Sequence, residues 1–222
     1  MEIYSTIVKF FQEGGLFMYP IVIVLALGLA IAIERWVYLT MTTVKNKAVW
    51  NKVAPYLRTG NISGAVQVTS KSKVAIAQIL TYGLNRVHSA RRREDVEKAM
   101  EESLMEVMPR LEKRTHYLAT FANIATLLGL LGTIIGLIRA FTVVASANPA
   151  EKADLLSASI SVAMNTTALG LMVAIPLLLA HTLLQTKTTE VIDSLEMASV
   201  KFLNSLMERS APEPAKASDG AR

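Results

Sequence analysis

The chain has 222 residues, of which 52% are hydrophobic and 18% charged, and its mean hydropathy is +0.38. Such a composition is too apolar for a water-soluble globular domain, so we expect much of the chain to lie in lipid. The sequence has no cysteine and only three scattered histidines, which argues against a disulfide framework, a thiolate metal site and a cysteine nucleophile. We therefore predict a membrane protein that uses no cofactor and no metal ion.

Three stretches of the sequence carry no charged residue, namely residues 16–33, 117–138 and 155–180. Each is long enough, as a helix, to cross about 30 Å of hydrocarbon. A cleaved signal peptide is the alternative interpretation of the first stretch, because Ala30 and Ala32 resemble a small-residue cleavage site. A membrane helix is favoured since only one basic residue, Lys9, precedes the stretch. The sequence thus predicts an all-α membrane protein with three transmembrane helices.

The placement of Lys and Arg predicts the orientation of these helices. One basic residue precedes the first span, 15 follow in residues 34–116, two lie in residues 139–154, and five come after residue 180. Because basic loops stay in the cytoplasm, we expect the N-terminus outside and the C-terminus inside. The predicted order is an extracytoplasmic N-terminus (1–15), a first span (16–33), a cytoplasmic helical loop (34–116), a second span (117–138), a short outer loop (139–154), a third span (155–180), a cytoplasmic helix (181–210) and a disordered tail (211–222).

Long helical extensions are predicted on the cytoplasmic side. Trp36 and Tyr38 follow the first span as interfacial aromatic anchors. Residues 45–90 are typical of short helices joined by turns, and the turn signals are Pro55, Gly60-Asn61, Gly64 and Gly83.

Two later segments of the predicted cytoplasmic region have the apolar spacing of amphipathic helices. One stripe consists of Val96, Met100, Leu104, Val107 and Leu111, and Pro109 is expected to kink that helix. The other stripe consists of Val191, Leu195, Ala198 and Phe202, and we expect it to face a partner protein.

Three consecutive arginines, residues 91–93, have two interpretations. Clustered positive charge beside a membrane attracts anionic lipid and can also bind nucleic acid. Glu94, Asp95 and Glu97 follow at once, so the net field is small, and we favour a solvated helix start that enforces topology. We expect contact with membrane lipids and no binding of nucleic acid.

The three spans contain no Asp, Glu, Lys, Arg or His, although an ion path through lipid usually includes a buried ionisable group. Their polar residues instead lie on single helix faces. The face of the second span consists of Asn123, Thr126 and Thr133 with two glycines. The face of the third span consists of Ser157, Ser161 and Asn165, and beside it lies a stripe of Ala163, Thr167, Gly170 and Ala174. Ordinary packing of small residues, such as the Gly132–Gly136 GxxxG spacing, explains any one of them. Hydroxyl groups on the faces of two successive spans could also form hydrogen bonds with a partner chain or with water in a narrow channel.

Two segments resemble the MotA/TolQ/ExbB proton-channel family: TFANIATLLGLLGTIIGLIRAF at residues 120–141 and SISVAMNTTALGLMVAIP at residues 159–176. The resemblance is strong in the second and third spans and slight in residues 45–90. It implies a homopentameric ring in a bacterial inner membrane, enclosing a dimer of single-span partners of the ExbD/TolR type whose transmembrane aspartate carries the proton. An ExbB-like subunit would energise a TonB-like protein for outer-membrane uptake.

The resemblance also assigns roles to residues of this chain. It implies that Thr133 and Thr167 face the partner's aspartate, where hydroxyls can hydrogen-bond the carboxyl and shift its pKa. Further candidates for the ion path are Thr126, Asn165 and Thr166. The predicted helix-packing residues are Gly129, Gly132, Gly136, Gly170 and Pro176.

Two departures from the family pattern keep alternatives open. Val162 stands where ExbB and TolQ usually have a glutamate, and Ala125-Thr126 stands where the family commonly has Ala-Pro. TolQ-like envelope constriction and a MotA-like motor, driven by protons or sodium ions, are therefore alternatives, and a non-conducting membrane scaffold is the alternative of another class. An enzyme is not expected, since no G-x-S-x-G, H-E-x-x-H or P-loop motif is present.

The orientation can be tested by cysteine labelling, because the chain has no cysteine of its own. A membrane-impermeant maleimide added to intact cells should label Asn148→Cys, in the predicted outer loop, and should leave Asn61→Cys unlabelled until the membrane is permeabilised. Equal labelling of both variants from outside would contradict the predicted topology.

Overall fold

The computed structural model describes residue 10 and residues 15–87 and 92–210, with side chains up to residue 206. This part of the chain is helical, without a strand, as predicted. Its helices are α1 (Met18–Thr59), α2 (Ile62–Ser70), α3 (Ala75–Val87), α4 (Arg93–Glu112), α5 (His116–Ser146) and α6 (Lys152–Ser210). The predictions for Arg91, for the tail 211–222 and for most of residues 1–15 lie outside the described residues.

Three candidate membrane helices contain the charge-free stretches, except that α1 begins at Met18, two residues after the start of the first stretch. Helix α1 has 42 residues, α5 has 31 and α6 has 59, and each includes a segment long and apolar enough to cross a bilayer. Large apolar side chains point outward on all three, since Ile23 is 61% exposed, Leu127 is 63% and Leu179 is 61%. An apolar surface of this kind requires lipid or another chain to cover it.

The turn after α1 was predicted correctly, but two other residues that were expected to mark turns, Pro55 and Gly83, lie inside helices. Gly60 has a φ of 74° and ends α1, and the Asn61 side chain then caps α2 by accepting a hydrogen bond from the Gly64 amide at 2.8 Å. Pro55 lies inside α1, and Gly83 lies buried inside α3. Gly83 is needed for packing instead, because a Cβ there would stand 2.7 Å from Met100 Sδ.

The chain divides into two compact units. The span unit consists of Met1–Val37 with Glu112–Thr186, and the helical unit of Tyr38–Leu111 with Lys187–Arg222. A hydrophobic core holds the described residues of the helical unit together, and its fully buried side chains include Leu80, Leu84, Met100 and Phe202.

Both amphipathic stripes contribute to the core of the helical unit. Val96, Met100, Val107 and Leu111 are buried there as the spacing predicts, and Leu104 packs against them. The stripe of Val191, Leu195, Ala198 and Phe202 is buried in the same core. Our expectation that this second stripe faces a partner is therefore wrong, because helices of the same chain cover it.

A turn at residues 113–115 separates α4 from α5, just beyond Pro109, where a kink was predicted. Arg114 has a φ of 67° in this turn, a left-handed conformation that costs a non-glycine residue about 1–2 kcal/mol. Its Nη1 donates to both carboxylate oxygens of Glu34 at 2.8 Å. This exposed ion pair ties the start of α5 to α1 within the span unit.

We expect the core of the helical unit to be sensitive at Phe202, which is 0% exposed. Phe202→Ala should lower the free energy of unfolding by about 3–5 kcal/mol, because the change removes buried apolar area and leaves a cavity. The measurement is the thermal unfolding midpoint of the detergent-extracted protein. Met197→Ala, on the same helix at a side chain that is 55% exposed, is the control and should change the midpoint little.

Candidate functional site

Helices α5 and α6 meet at two buried glycines. A Cβ on Gly170 would lie 2.7 Å from the Ala125 carbonyl oxygen and 3.1 Å from Gly129 Cα. A Cβ on Gly129 would lie 3.2 Å from Thr167 Cα. The obstacles are backbone atoms, which cannot rotate away, so only glycine fits at position 170, and a side chain at position 129 would push the helices apart by a few tenths of an ångström.

The same contact continues toward the C-terminal end of α5. Gly132 is buried against the methyl group and Cβ of Thr166, and a Cβ on Gly136 would stand 2.9 Å from the Ala163 side chain. Small residues thus line the contact on both helices. Pro176, predicted with these glycines, is exposed within α6, and its packing role stays a prediction.

Thr167 joins the two helices through its hydroxyl. Its Oγ1 donates to the Gly129 carbonyl oxygen at 3.0 Å and is partly buried. In an α-helix the carbonyl of residue 129 also accepts from the amide of residue 133. One carbonyl therefore links Thr167 of α6 with the backbone of Thr133 in α5.

The other predicted polar residues differ in exposure. Thr133 is partly exposed, and its hydroxyl donates within its own helix to the Leu130 carbonyl oxygen at 2.6 Å. Thr126 is exposed, Asn165 is partly exposed, and Thr166 is 2% exposed with its hydroxyl on the Val162 carbonyl oxygen at 2.9 Å. The structure thus brings Thr166 and Thr167 into the α5–α6 contact and leaves Thr126 and Thr133 toward the surface of the protomer.

The third-span polar stripe is separated from the small-residue stripe beside it. Ala163, Gly170 and Ala174 are buried, whereas Ser157 and Ser161 are exposed. Hydroxyl and amide groups at such a surface can exchange hydrogen bonds with a carboxyl group or with water. The described residues contain no group of three or more metal-ligating side chains.

A cavity of about 200 Å³ lies within the span unit. Val162 and Thr166 line it from α6, and Arg139 lines it from α5. The described residues that line it offer a cation and hydroxyl groups, but no carboxylate.

Sequence reasoning missed the role of Gly28. A Cβ at that position would lie 2.6 Å from Leu177 Cδ2, so α1 approaches α6 closely there. Gly28 stands alone in an apolar run, and a single glycine in a membrane helix is only a weak signal of a contact.

We expect the glycine contact to tolerate no added methyl group. Gly170→Ala should destabilise the protein by about 1–3 kcal/mol through overpacking against the Ala125 carbonyl, seen as a lower thermal midpoint in detergent. Ala158→Val also enlarges a side chain on α6, but at an exposed position, and serves as the control. Equal midpoints for wild type and Gly170→Ala would contradict the close approach.

Comparison with known proteins identifies the family. A model of the MotA/TolQ/ExbB proton channel family matches residues 71–197, which is more than half of the chain and includes the whole α5–α6 contact. An ExbB homolog of Methanothermobacter thermautotrophicus, described as a biopolymer transport protein, is 28% identical over 199 residues, or 89% of this chain and 69% of that protein.

Two further relatives carry related names. An ExbB-like biopolymer transport protein of Synechocystis sp. is 28% identical over 185 residues, covering 82% of this chain and 72% of the relative. The Tol-Pal system protein TolQ of Haemophilus influenzae is 33% identical over 84 residues, which cover 38% of this chain and 36% of TolQ. With three helices able to span a membrane, and the charge-free stretches of two of them inside the matched region, this chain is a multi-pass membrane protein that belongs to the MotA/TolQ/ExbB proton channel family.

Proposed function

We propose that this chain is the ExbB-like subunit of an inner-membrane motor driven by the proton gradient. In the proposal five copies form a ring around two single-span partners of the ExbD/TolR type. A carboxyl group of the partner is alternately protonated and ionised, and the ring converts these changes into relative rotation. The N-terminus lies in the periplasm and the C-terminus in the cytoplasm.

The observation that carries the proposal is the combination of family membership with spans that lack Asp, Glu, Lys, Arg and His. A proton channel needs a group that binds and releases the proton, and a charged side chain in a span is costly enough to be kept only for function. This chain supplies hydroxyl groups instead. A partner carboxylate completes such a path, and the exposed or partly exposed Thr126, Thr133 and Asn165 offer hydrogen bonds to it.

The proton gradient can drive the proposed rotation. Moving one charge through 100 mV supplies about 2.3 kcal/mol, so a few protons per step suffice for a conformational change costing several kcal/mol. The names of the relatives support an ExbB-like role. We propose that in this role the motion works a TonB-like protein for uptake across an outer membrane. The match to a TolQ protein keeps envelope constriction as the alternative output.

A non-conducting scaffold is favoured by one observation, the hydrogen bond from Thr167 to the Gly129 carbonyl. This bond gives Thr167 a packing role that needs no ion. Thr133 has no such bond between helices among its described contacts, since its hydroxyl is bonded within α5. Thr133 is therefore the residue that best separates a channel from a scaffold.

The test replaces single threonines by valine, which keeps the shape and removes the hydroxyl. Thr133→Val should leave assembly intact and lower proton flux by about tenfold or more, as expected when a proton-transfer barrier rises by about 1.4 kcal/mol. Thr133→Ser should restore the flux. The measurements are flux into proteoliposomes that contain the chain with its single-span partner, and native mass spectrometry of the same preparation, in which we expect five copies.

Thr142→Val is the matched control, because Thr142 lies on the same helix, is exposed, and donates within the helix to the Ile138 carbonyl oxygen. It should conduct like wild type. Thr167→Val should lose flux and also some stability, since its bond to α5 is broken; a bond between membrane helices contributes on average about 0.6 kcal/mol. Wild-type flux in the double variant Thr133→Val/Thr167→Val would exclude the proposed role of both hydroxyls. No flux through the wild-type chain with its partner would favour the scaffold.

A further inference from the structure

The helical unit contains a groove that the ion path does not use. We call it the basic groove; it has a volume of about 270 Å³. Three basic side chains line it, Lys45 from α1, Lys73 from the turn before α3 and Arg110 from α4. Its remaining lining residues are Tyr38, Thr42, Val74, Ala75, Gln78, Val107 and Leu111.

The walls of the basic groove are held by local contacts. Tyr38, Thr42 and Lys45 are spaced by four and three residues, so they share one face of α1. The turn that carries Lys73 is fixed by the Gln78 side chain, which donates to the Lys73 carbonyl oxygen at 3.2 Å. Asn46, only 4% exposed, accepts from the Ile76 amide at 3.3 Å and ties α1 to the start of α3.

The charge of the basic groove is one-sided. No carboxylate is among the described residues that line it. Arg110 contacts Glu106 at 3.9 Å, but both side chains are about 60% exposed, and exposed pairs of this kind are weak. A second groove of the same unit, lined by Arg86 and Lys98 together with Asp95 and Glu102, is balanced in charge, in contrast to the basic groove.

Position along α1 indicates which anion can reach the basic groove. Tyr38 follows the last residue of the first charge-free stretch, Ile33, by five residues, or about 7.5 Å of helix. That distance corresponds to headgroup depth, where tyrosine is favoured. Tyr38, which is 40% exposed, and the partly exposed Val74 and Ala75 line the groove beside the cations, a combination that suits a phosphate attached to an apolar chain better than a free ion.

We propose that the basic groove binds the phosphate of an anionic phospholipid headgroup. Lys45, Lys73 and Arg110 neutralise the phosphate, and Arg110 can give it two parallel hydrogen bonds. The Tyr38 ring, Val74 and Ala75 contact the glycerol and the first methylenes of the lipid. The volume is slightly below the about 300–1,000 Å³ of sites for drug-sized ligands, which fits a headgroup rather than a whole lipid.

The test compares two lipids with the same acyl chains, palmitoyl-oleoyl phosphatidylglycerol and palmitoyl-oleoyl phosphatidylcholine. Native mass spectrometry of the purified full chain should show several-fold more phosphatidylglycerol than phosphatidylcholine retained per protomer. The triple variant Lys45→Gln/Lys73→Gln/Arg110→Gln should lose this preference, with an affinity drop on the order of tenfold or more. Lys73→Gln alone, at an exposed position in a turn, covers the case in which the triple variant does not fold.

The matched control removes three other exposed charges of the helical unit, as Lys47→Gln/Lys52→Gln/Lys201→Gln. It has the same net charge as the triple variant and should keep the preference for phosphatidylglycerol. Lys73→Arg should keep it as well. An equal loss in both triple variants would show that overall charge holds the lipid and would overturn the proposal.

A competition experiment with inorganic phosphate distinguishes a site for a lipid phosphate from a site for free phosphate. At millimolar concentration it should leave the phosphatidylglycerol preference of wild type unchanged, because it lacks the apolar part that contacts Tyr38, Val74 and Ala75. If phosphate binds wild type but not the triple variant, and phosphatidylglycerol shows no preference, the groove is a site for the free ion and the lipid proposal is wrong. Binding of neither overturns the proposal altogether.

Discussion

The close approach of α5 and α6 at Gly129 and Gly170 is the constraint on which the span unit depends. Backbone atoms of one helix stand where a side chain of the other would begin. Membrane helices gain little from hydrophobic association with each other, so contacts between small residues are their main source of packing energy. The short separation also lets the Thr167 hydroxyl reach a carbonyl of the neighbouring helix. Packing and hydrogen bonding here are consequences of the same two glycines.

The distribution of charge follows from the cost of burying it in lipid. The three charge-free stretches contain no group that titrates near neutral pH, while basic residues gather in the helical unit, where they line the basic groove. At the turn before α5, Arg114 is paired with Glu34. We propose that this chain supplies hydrogen-bonding groups along the proton path, and that a partner chain supplies the carboxyl group that binds the proton.

The sequence predicted those features that depend on composition and spacing. The charge-free stretches became the apolar parts of α1, α5 and α6, and the apolar stripes at Val96–Leu111 and Val191–Phe202 became core. The spacing of apolar residues does not reveal which helix covers the stripe, so Leu195 and Phe202 were predicted to face a partner protein. Gly83 was taken for a turn and Gly28 was overlooked, because the meaning of a glycine inside a helix depends on the side chain opposite, here Met100 and Leu177.

The two threonines that the resemblance singled out are coupled through one backbone atom. The Gly129 carbonyl accepts the Thr167 hydroxyl and, by helix geometry, the amide of Thr133. A carbonyl has two lone pairs and can accept both bonds. If the Thr167 hydroxyl turns toward a partner carboxyl, the carbonyl loses one donor while the backbone bond to Thr133 persists, so the helix need not unwind. In the proposed mechanism Thr167 alternates between packing and proton transfer at the expense of one hydrogen bond, so its packing role is compatible with a role in the ion path.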